Sequence, residues 1–247
     1  MRALTDPDEL RSTAEATPWL RWGVDLAGAR AWVDDGGAVA LVRTRRAYGT
    51  SLVAVGDPVG AVGLAVGLAP RLEVSSITVP RTAVVPAGAV FGHAPRGVDW
   101  EWMWTPAAPP ALPGEELVVE LDTSTAAGRA ELAAFLAAHS PRHSADPDDD
   151  RARAWLGVRS PDGGLTACLA LYEAVPGVDL MASVAVAPSA RGQGLGLAVA
   201  AAATRRSLVE RPPVVTVDLY SANAAARTLY EKLGYRLDQE FTSYPLA

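Results

Sequence analysis

The chain has 247 residues, 49% of them hydrophobic, and a formal net charge of -6 at pH 7. That length holds one large domain or two ordinary ones, and the apolar share leaves neither half compositionally disordered. The acidic balance excludes a bulk electrostatic grip on nucleic acid, so no nucleic-acid partner is expected.

In chain order, residues 38–44 and 51–55 read as paired strands around a turn at 45–49. Residues 59–68 read as a helix despite Gly60, Gly63 and Gly67, each of which costs about 1 kcal/mol against Ala in a helix interior. Residues 74–79 and 83–85 are strand-like. Residues 99–104 alternate, with Trp100, Trp102 and Trp104 on one face and Met103 on the other. That aromatic face reads as an interdomain core or a dimer surface, because three large rings are unfavourable to expose. A homodimer is therefore one option, and the wall of a substrate pocket is the other. Residues 105–114 carry four prolines, which forbid a regular ladder and make a stiff connector. The domain boundary is placed there, giving 1–110 and 111–247.

Beyond the connector, 116–121 reads as a short strand and 126–138 as a helix with an apolar stripe of Leu132, Phe135 and Leu136. Asp148, Asp149 and Asp150 suit either the first turn of a helix or a solvated loop. Residues 155–159 and 165–173 form a hairpin around Ser160–Gly164, and 179–187 is the next strand. Then comes Arg191-Gly192-Gln193-Gly194-Leu195-Gly196, opening an Ala-rich helix over 195–209 that Pro212 and Pro213 stop. Strand, glycine turn and helix together present free backbone N–H groups to a phosphate. The glycines fit neither G-x-G-x-x-G nor a loop ending in G-K-[ST]. Residues 214–220 form a strand and 224–233 a helix, with Asn223 as cap and Gly234 after its end. Residues 236–244 should close this half's sheet.

Cys168 is the only cysteine, which rules out an intrachain disulfide and fits a reducing, cytoplasmic compartment. It reads as a buried, inert thiol. His93, His139 and His143 are scattered, and with only the last two close together no metal is expected. Residues 1–8 lack the apolar core of a signal peptide. The apolar run 59–69 falls short of the roughly 20 residues that a membrane span needs, so no membrane partner is expected.

Arg191, Gly194 and Gly196 fill the fixed places of [RQ]-x-x-G-x-[GA], and Val184-Ala185-Val186-Ala187-Pro188 ends the strand before them. Asn223-Ala224-Ala225-Ala226-Arg227-Thr228-Leu229-Tyr230-Glu231-Lys232-Leu233-Gly234-Tyr235 forms a second landmark, of the type N-x-x-A-x-x-L-Y-x-K-x-G-[FY]. In this order the two motifs resemble the GNAT acyltransferase superfamily over roughly 116–244. The resemblance implies an α/β (α+β) fold with a mixed, mostly antiparallel sheet flanked by helices. Residues 1–110 loosely echo the same order without the glycine loop, as a degenerate first domain of a tandem pair would.

The resemblance also implies acetyl-CoA as acyl donor, with no metal. Gly192, Gln193, Gly194, Leu195 and Gly196 would hold the pyrophosphate, aided by Arg191. The backbones of Val184, Ala185 and Val186 would hold the pantetheine arm where that strand splays from the next, with Asn223 nearby. Tyr230 would be the general acid for the departing thiolate. For the general base the residues leave alternatives open: Asp179, Glu173, Glu120, or a water. The acceptor would be a primary amine of a small molecule or peptide. A non-catalytic acyl-CoA sensor with the same fold is the alternative, separable by its failure to release thiol.

Overall fold

In the computed structural model, residues 1–15, 17–45, 49–86, 97–211 and 213–246 are described. Residues 46–48 of the expected turn, His93 and Pro212 lie outside them. In chain order the first elements are β1 (Arg2–Leu4), α1 (Pro7–Ala14), α2 (Pro18–Trp22), β2 (Ala31–Val33), β3 (Val39–Arg45), β4 (Gly49–Val55), α3 (Pro58–Leu68), β5 (Ser76–Pro80) and β6 (Val98–Thr105). There follow β7 (Val118–Glu120), α4 (Ala126–His139), β8 (Ala152–Arg159), β9 (Leu165–Val175), β10 (Val178–Val186), α5 (Leu195–Glu210), β11 (Val215–Tyr220), α6 (Ala224–Lys232) and β12 (Arg236–Pro245). The chain divides into two compact units: Met1–Trp102 with Leu219–Asn223 and Leu237–Ala247, and Met103–Asp218 with Ala224–Arg236.

In the first unit the strands run β1, β2, β3, β4, β5, β12, β6. β4 and β5 are parallel, joined by the crossover helix α3, while β3–β4 and β5–β12 are antiparallel. The helix forms despite its glycines because Asp57 caps it, accepting from the amides of Val59 (3.1 Å) and Gly60 (3.0 Å), and Pro58 presets its first turn. Ala61, Leu64, Ala65 and Leu68 are then buried with Leu52, Ala54 and Ile77 of the sheet. Gly60 is required by packing, since a Cβ there would lie 2.4 Å from the Asp34 carboxylate.

Three expectations change here. Residues 236–244 were expected to close the second half's sheet; instead β12 pairs with β5, Phe241 opposite Pro80 and Tyr244 opposite Ile77. Phe241 is wholly buried, with ring centroids 5.1 Å from Trp19 and 4.5 Å from Trp100. Apolar burial on that scale outweighs the pull of chain proximity. Residues 83–85 are not a strand, because the Ala83 amide turns back onto the Pro80 carbonyl at 2.9 Å. The tryptophans of β6 also differ among themselves. Trp102 is buried and the indole of Trp100 donates to Ser243 Oγ at 2.8 Å, which fits a core role for these two.

In the second unit the order is β11, β10, β9, β8, β7. Only the β10–β11 contact is parallel; β7–β8, β8–β9 and β9–β10 are antiparallel. Residues 115–117 form a short 3-10 turn before β7, trimming the strand expected from 116. The three aspartates lie in the turn before β8, not in a helix. Alternation along β9 sends Cys168, Ala170 and Tyr172 into a core with Leu132, Phe135 and Leu136 of α4, while Leu169 and Leu171 are buried on the other face.

Candidate functional site

The parallel ladder of β10 and β11 is short. Asp179, Leu180 and Met181 pair with Val215, Thr216 and Val217, and from Ala182 onward β10 has no ladder partner on that side among the described residues. On its other side, pairing to β9 jumps from Ala182/Ala170 to Ala185/Cys168, so β10 carries one extra residue, a β-bulge. At the bulge Ser183 has φ 55°, the one non-glycine in the left-handed region among the described residues. Such backbone costs an ordinary side chain about 1–2 kcal/mol. The Ser183 hydroxyl offsets it by accepting from the amides of Ser144 (3.2 Å) and Ala145 (2.8 Å) and donating to the Ala145 carbonyl (3.2 Å). Beyond the end of the parallel ladder, Val184, Ala185 and Val186 keep a backbone edge without a strand partner on the β11 side among the described residues. Ala185 is buried, and Val184 and Val186 are half-buried.

Past β10 the chain makes a 3-10 turn, Pro188–Ala190, and reaches the glycine loop. Gly192 and Gly194 have φ 78° and 79°, which only glycine adopts without strain. Gly194 is the N-cap of α5 and provides no side-chain cap. The first backbone bond into α5 runs from Ala198 to the Gly194 carbonyl, 3.0 Å. Among the described residues, the amides of Gly192, Gln193, Gly194, Leu195 and Gly196 take no backbone acceptor. Five donors at the positive end of a 16-residue helix form a cradle for an anion. The Arg191 guanidinium reaches back to the Val186 carbonyl at 3.4 Å, and Gln193 donates to the Ser189 carbonyl at 3.1 Å. One of the β10 carbonyls expected to face a ligand is therefore already in contact with Arg191.

The second landmark closes on this loop. A Cβ on Gly196 would meet Val186 at 3.2 Å and Leu229 at 3.6 Å, so the start of α5, the end of β10 and α6 converge at this glycine. Tyr230, next to Leu229, is buried and lies edge-on to Tyr235 with centroids 5.1 Å apart. The Tyr235 hydroxyl bonds Thr204 of α5 (3.0 Å) and the sulfur of Met181 (3.5 Å), at the last rung of the parallel ladder. Burial pushes the Tyr230 phenol well above its ordinary range, with the nearby Asp218 carboxylate adding to the shift. The ring therefore keeps its proton at neutral pH, the state a general acid needs. Asn223 precedes α6, its amide donating to the Tyr220 carbonyl at 2.8 Å.

The expected carboxylates are otherwise employed. Asp179 is fully buried. Arg153 forks onto both its oxygens, with Nε to Oδ1 at 2.7 Å, and Ser207 donates to Oδ2 at 2.6 Å. Arg153 also reaches Glu210, which Arg206 links to Glu120. Asp179 is thus enclosed by its donors and closed off from solvent. Glu173 is held below the usual carboxylate range, first by the Gly177 amide (2.7 Å) and then by Arg211, which makes it a weak proton acceptor. Arg153 and Ser207, which hold Asp179, carry no motif that would mark them in sequence. Neither does Ser183, whose role depends on a bulge. Among the described residues no group of three or more His, Cys, Asp and Glu is arranged to hold a metal ion, and no helix is long and apolar enough to cross a membrane.

Residues 156–244, which span β10, the glycine loop and α6, match the family model described as FR47-like protein. No curated protein matches the chain. Among solved structures it is similar to a GNAT-family protein from Novosphingobium aromaticivorans, 22% identical with a TM-score of 0.55 over 96% of this chain and 97% of that one. A GCN5-related N-acetyltransferase from Sphaerobacter thermophilus is 18% identical, TM-score 0.57, over 87% and 79%. Another from Kribbella flavida is 19% identical, TM-score 0.55, over 88% and 89%. The fold is that of the GNAT superfamily, a mixed sheet flanked by helices.

Proposed function

We propose that the chain is an N-acetyltransferase that takes its acyl group from acetyl-CoA and delivers it to a primary amine of a small molecule or peptide. The observation that carries this reading is the convergence, at Gly196, of five unpaired amides, the unzipped edge of β10 and the helix bearing Tyr230. The amides of residues 192–196 suit a diphosphate without a metal. The free edge of β10 suits the amides of a pantetheine arm, as an added strand would. Bound there, acetyl-CoA supplies an activated acyl carbon for direct attack by an amine. Tyr230, protonated by burial, gives its proton to the leaving sulfur.

Among the described residues, only the second unit is equipped in this way. The corresponding helix of the first unit, α3, has its leading amides occupied by its own Asp57, whose negative charge also repels an anion. We assign acyl-donor binding to residues 111–247, with 1–110 as a degenerate first domain. The test is thiol release from acetyl-CoA across a panel of aliphatic amines, polyamines and tripeptides. Amine-dependent thiol release supports the reading. Binding of acetyl-CoA with no release on any amine would mark a sensor instead.

A further inference from the structure

We infer that His143 is the general base that deprotonates the acceptor amine; this rests on the acetyltransferase reading above. The loop between α4 and β8 is docked on the bulge of β10, because Ser183 holds the backbones of Ser144 and Ala145. That bulge lies on the stretch of β10 that has left β11. His143 immediately precedes the two anchored residues and is half-buried.

Its tautomer follows from its contacts. The Ser140 carbonyl accepts from the His143 backbone amide at 2.9 Å and lies 3.0 Å from Nδ1. A carbonyl cannot donate, so Nδ1 carries the hydrogen, and in the neutral ring the lone pair lies on Nε2. Among the described residues Nε2 takes no partner. An imidazole oriented at one nitrogen and basic at the other is the arrangement proton abstraction requires. No candidate carboxylate offers it: Asp179 is sealed, Glu173 is weakened and Glu120 is paired with Arg206. The charged and titratable groups carried by the loop are Arg142, Asp146, Asp148, Asp149, Asp150 and Arg151; α4 carries Arg129, Glu131 and His139, β9 carries Cys168, Tyr172 and Glu173, and β10 carries Asp179. Asp149 is itself held by Arg151 and Tyr172.

The step balances within the active site. Nε2 takes a proton from the ammonium, and the freed nitrogen forms the C–N bond as the C–S bond breaks. Tyr230 protonates the sulfur and takes back the second proton that the nitrogen sheds on becoming an amide, and the imidazolium returns its proton to solvent.

The discriminating variant is His143→Asn, whose amide nitrogen can still donate to the Ser140 carbonyl while the basic nitrogen is gone. The assay uses acetyl-CoA and the fastest amine of the panel. A roughly 100-fold fall in kcat is expected, the usual worth of a general base, with acetyl-CoA affinity unchanged and the acidic limb of the kcat/KM profile abolished. A second variant, His143→Gly, should regain rate with added imidazole in proportion to the neutral form present. Wild-type kcat and an unchanged acidic limb in His143→Asn, or no rescue of His143→Gly, overturns the base assignment alone. A wild type that binds acetyl-CoA but acylates no amine overturns the acetyltransferase reading, and the base falls with it.

Discussion

Tyr230 is buried, and it is the residue proposed above as the general acid. Its pKa is raised because burial penalises the phenolate, so the acid form persists as pH rises through the ordinary tyrosine value of about 10. Tyr230→Phe should lower kcat about 100-fold while leaving the acetyl-CoA dissociation constant within a factor of two. The wild-type profile should show no basic limb below pH 10 that disappears in the variant; such a limb would remove Tyr230 from the acid role. Asp238 illustrates the opposite consequence of burial. Desolvation raises its pKa against the bonds from Gln239 and the Trp19 amide. Because the folded value lies above the unfolded one, its contribution is present below the ordinary Asp range and lost as pH rises through the raised value. At pH 7 the ionised group opposes folding. Asp238→Asn should therefore raise Tm at pH 7, by about 2–4 °C for each kcal/mol recovered, and the gain should vanish near pH 3. At this scale the sequence was most legible where glycine was obligatory, at Gly192 and Gly194. It was least legible for the carboxylates, since nothing local distinguishes Asp179 in a buried ion pair from Asp179 in a cleft.

Strand β10 does two jobs along its length. Its first three residues anchor the parallel ladder, with Asp179 tying β8 and α5 to it through Arg153 and Ser207. Its second half, past the end of the β11 ladder, is the edge proposed above for the pantetheine arm. Breaking a buried ion pair by removing one partner costs about 3–5 kcal/mol. Asp179→Ala should accordingly lower Tm by 10 °C or more while leaving the pH dependence of residual activity unchanged. A stable variant that lost only the acidic limb would restore Asp179 as the base. The helices and hairpins of the second unit were readable from periodicity and turn residues, so α4, α5 and α6 match expectation within a residue or two. The bulge was not, because Ser183 is as ordinary in sequence as its neighbours and its left-handed backbone exists only through Ser144 and Ala145.

For the whole chain, the return of β12 to the first unit is the least predictable feature. Its alternation and length announced a strand and chain proximity pointed it to the second unit's sheet, but the pairing with β5 is decided by long-range packing of Phe241 against Trp19 and Trp100. A fragment of residues 1–110 lacks that strand. It should show no cooperative thermal transition by near-ultraviolet circular dichroism, and a sharp transition would contradict the dependence on β12. The N-terminal elements β1, α1, α2 and β2 were not foreseen, since each is short; α1 and α2 are set by their caps, Asp6 and Thr17. The central claim is that one glycine-built helix start, and not its Asp57-capped counterpart, grips a diphosphate. Calorimetric titration with acetyl-CoA tests it most directly. Saturable binding of one equivalent per chain is expected, weakened at least tenfold in Gly194→Val, where the left-handed turn is forbidden to a branched side chain. No saturable heat, or equal affinity in the variant, would contradict it.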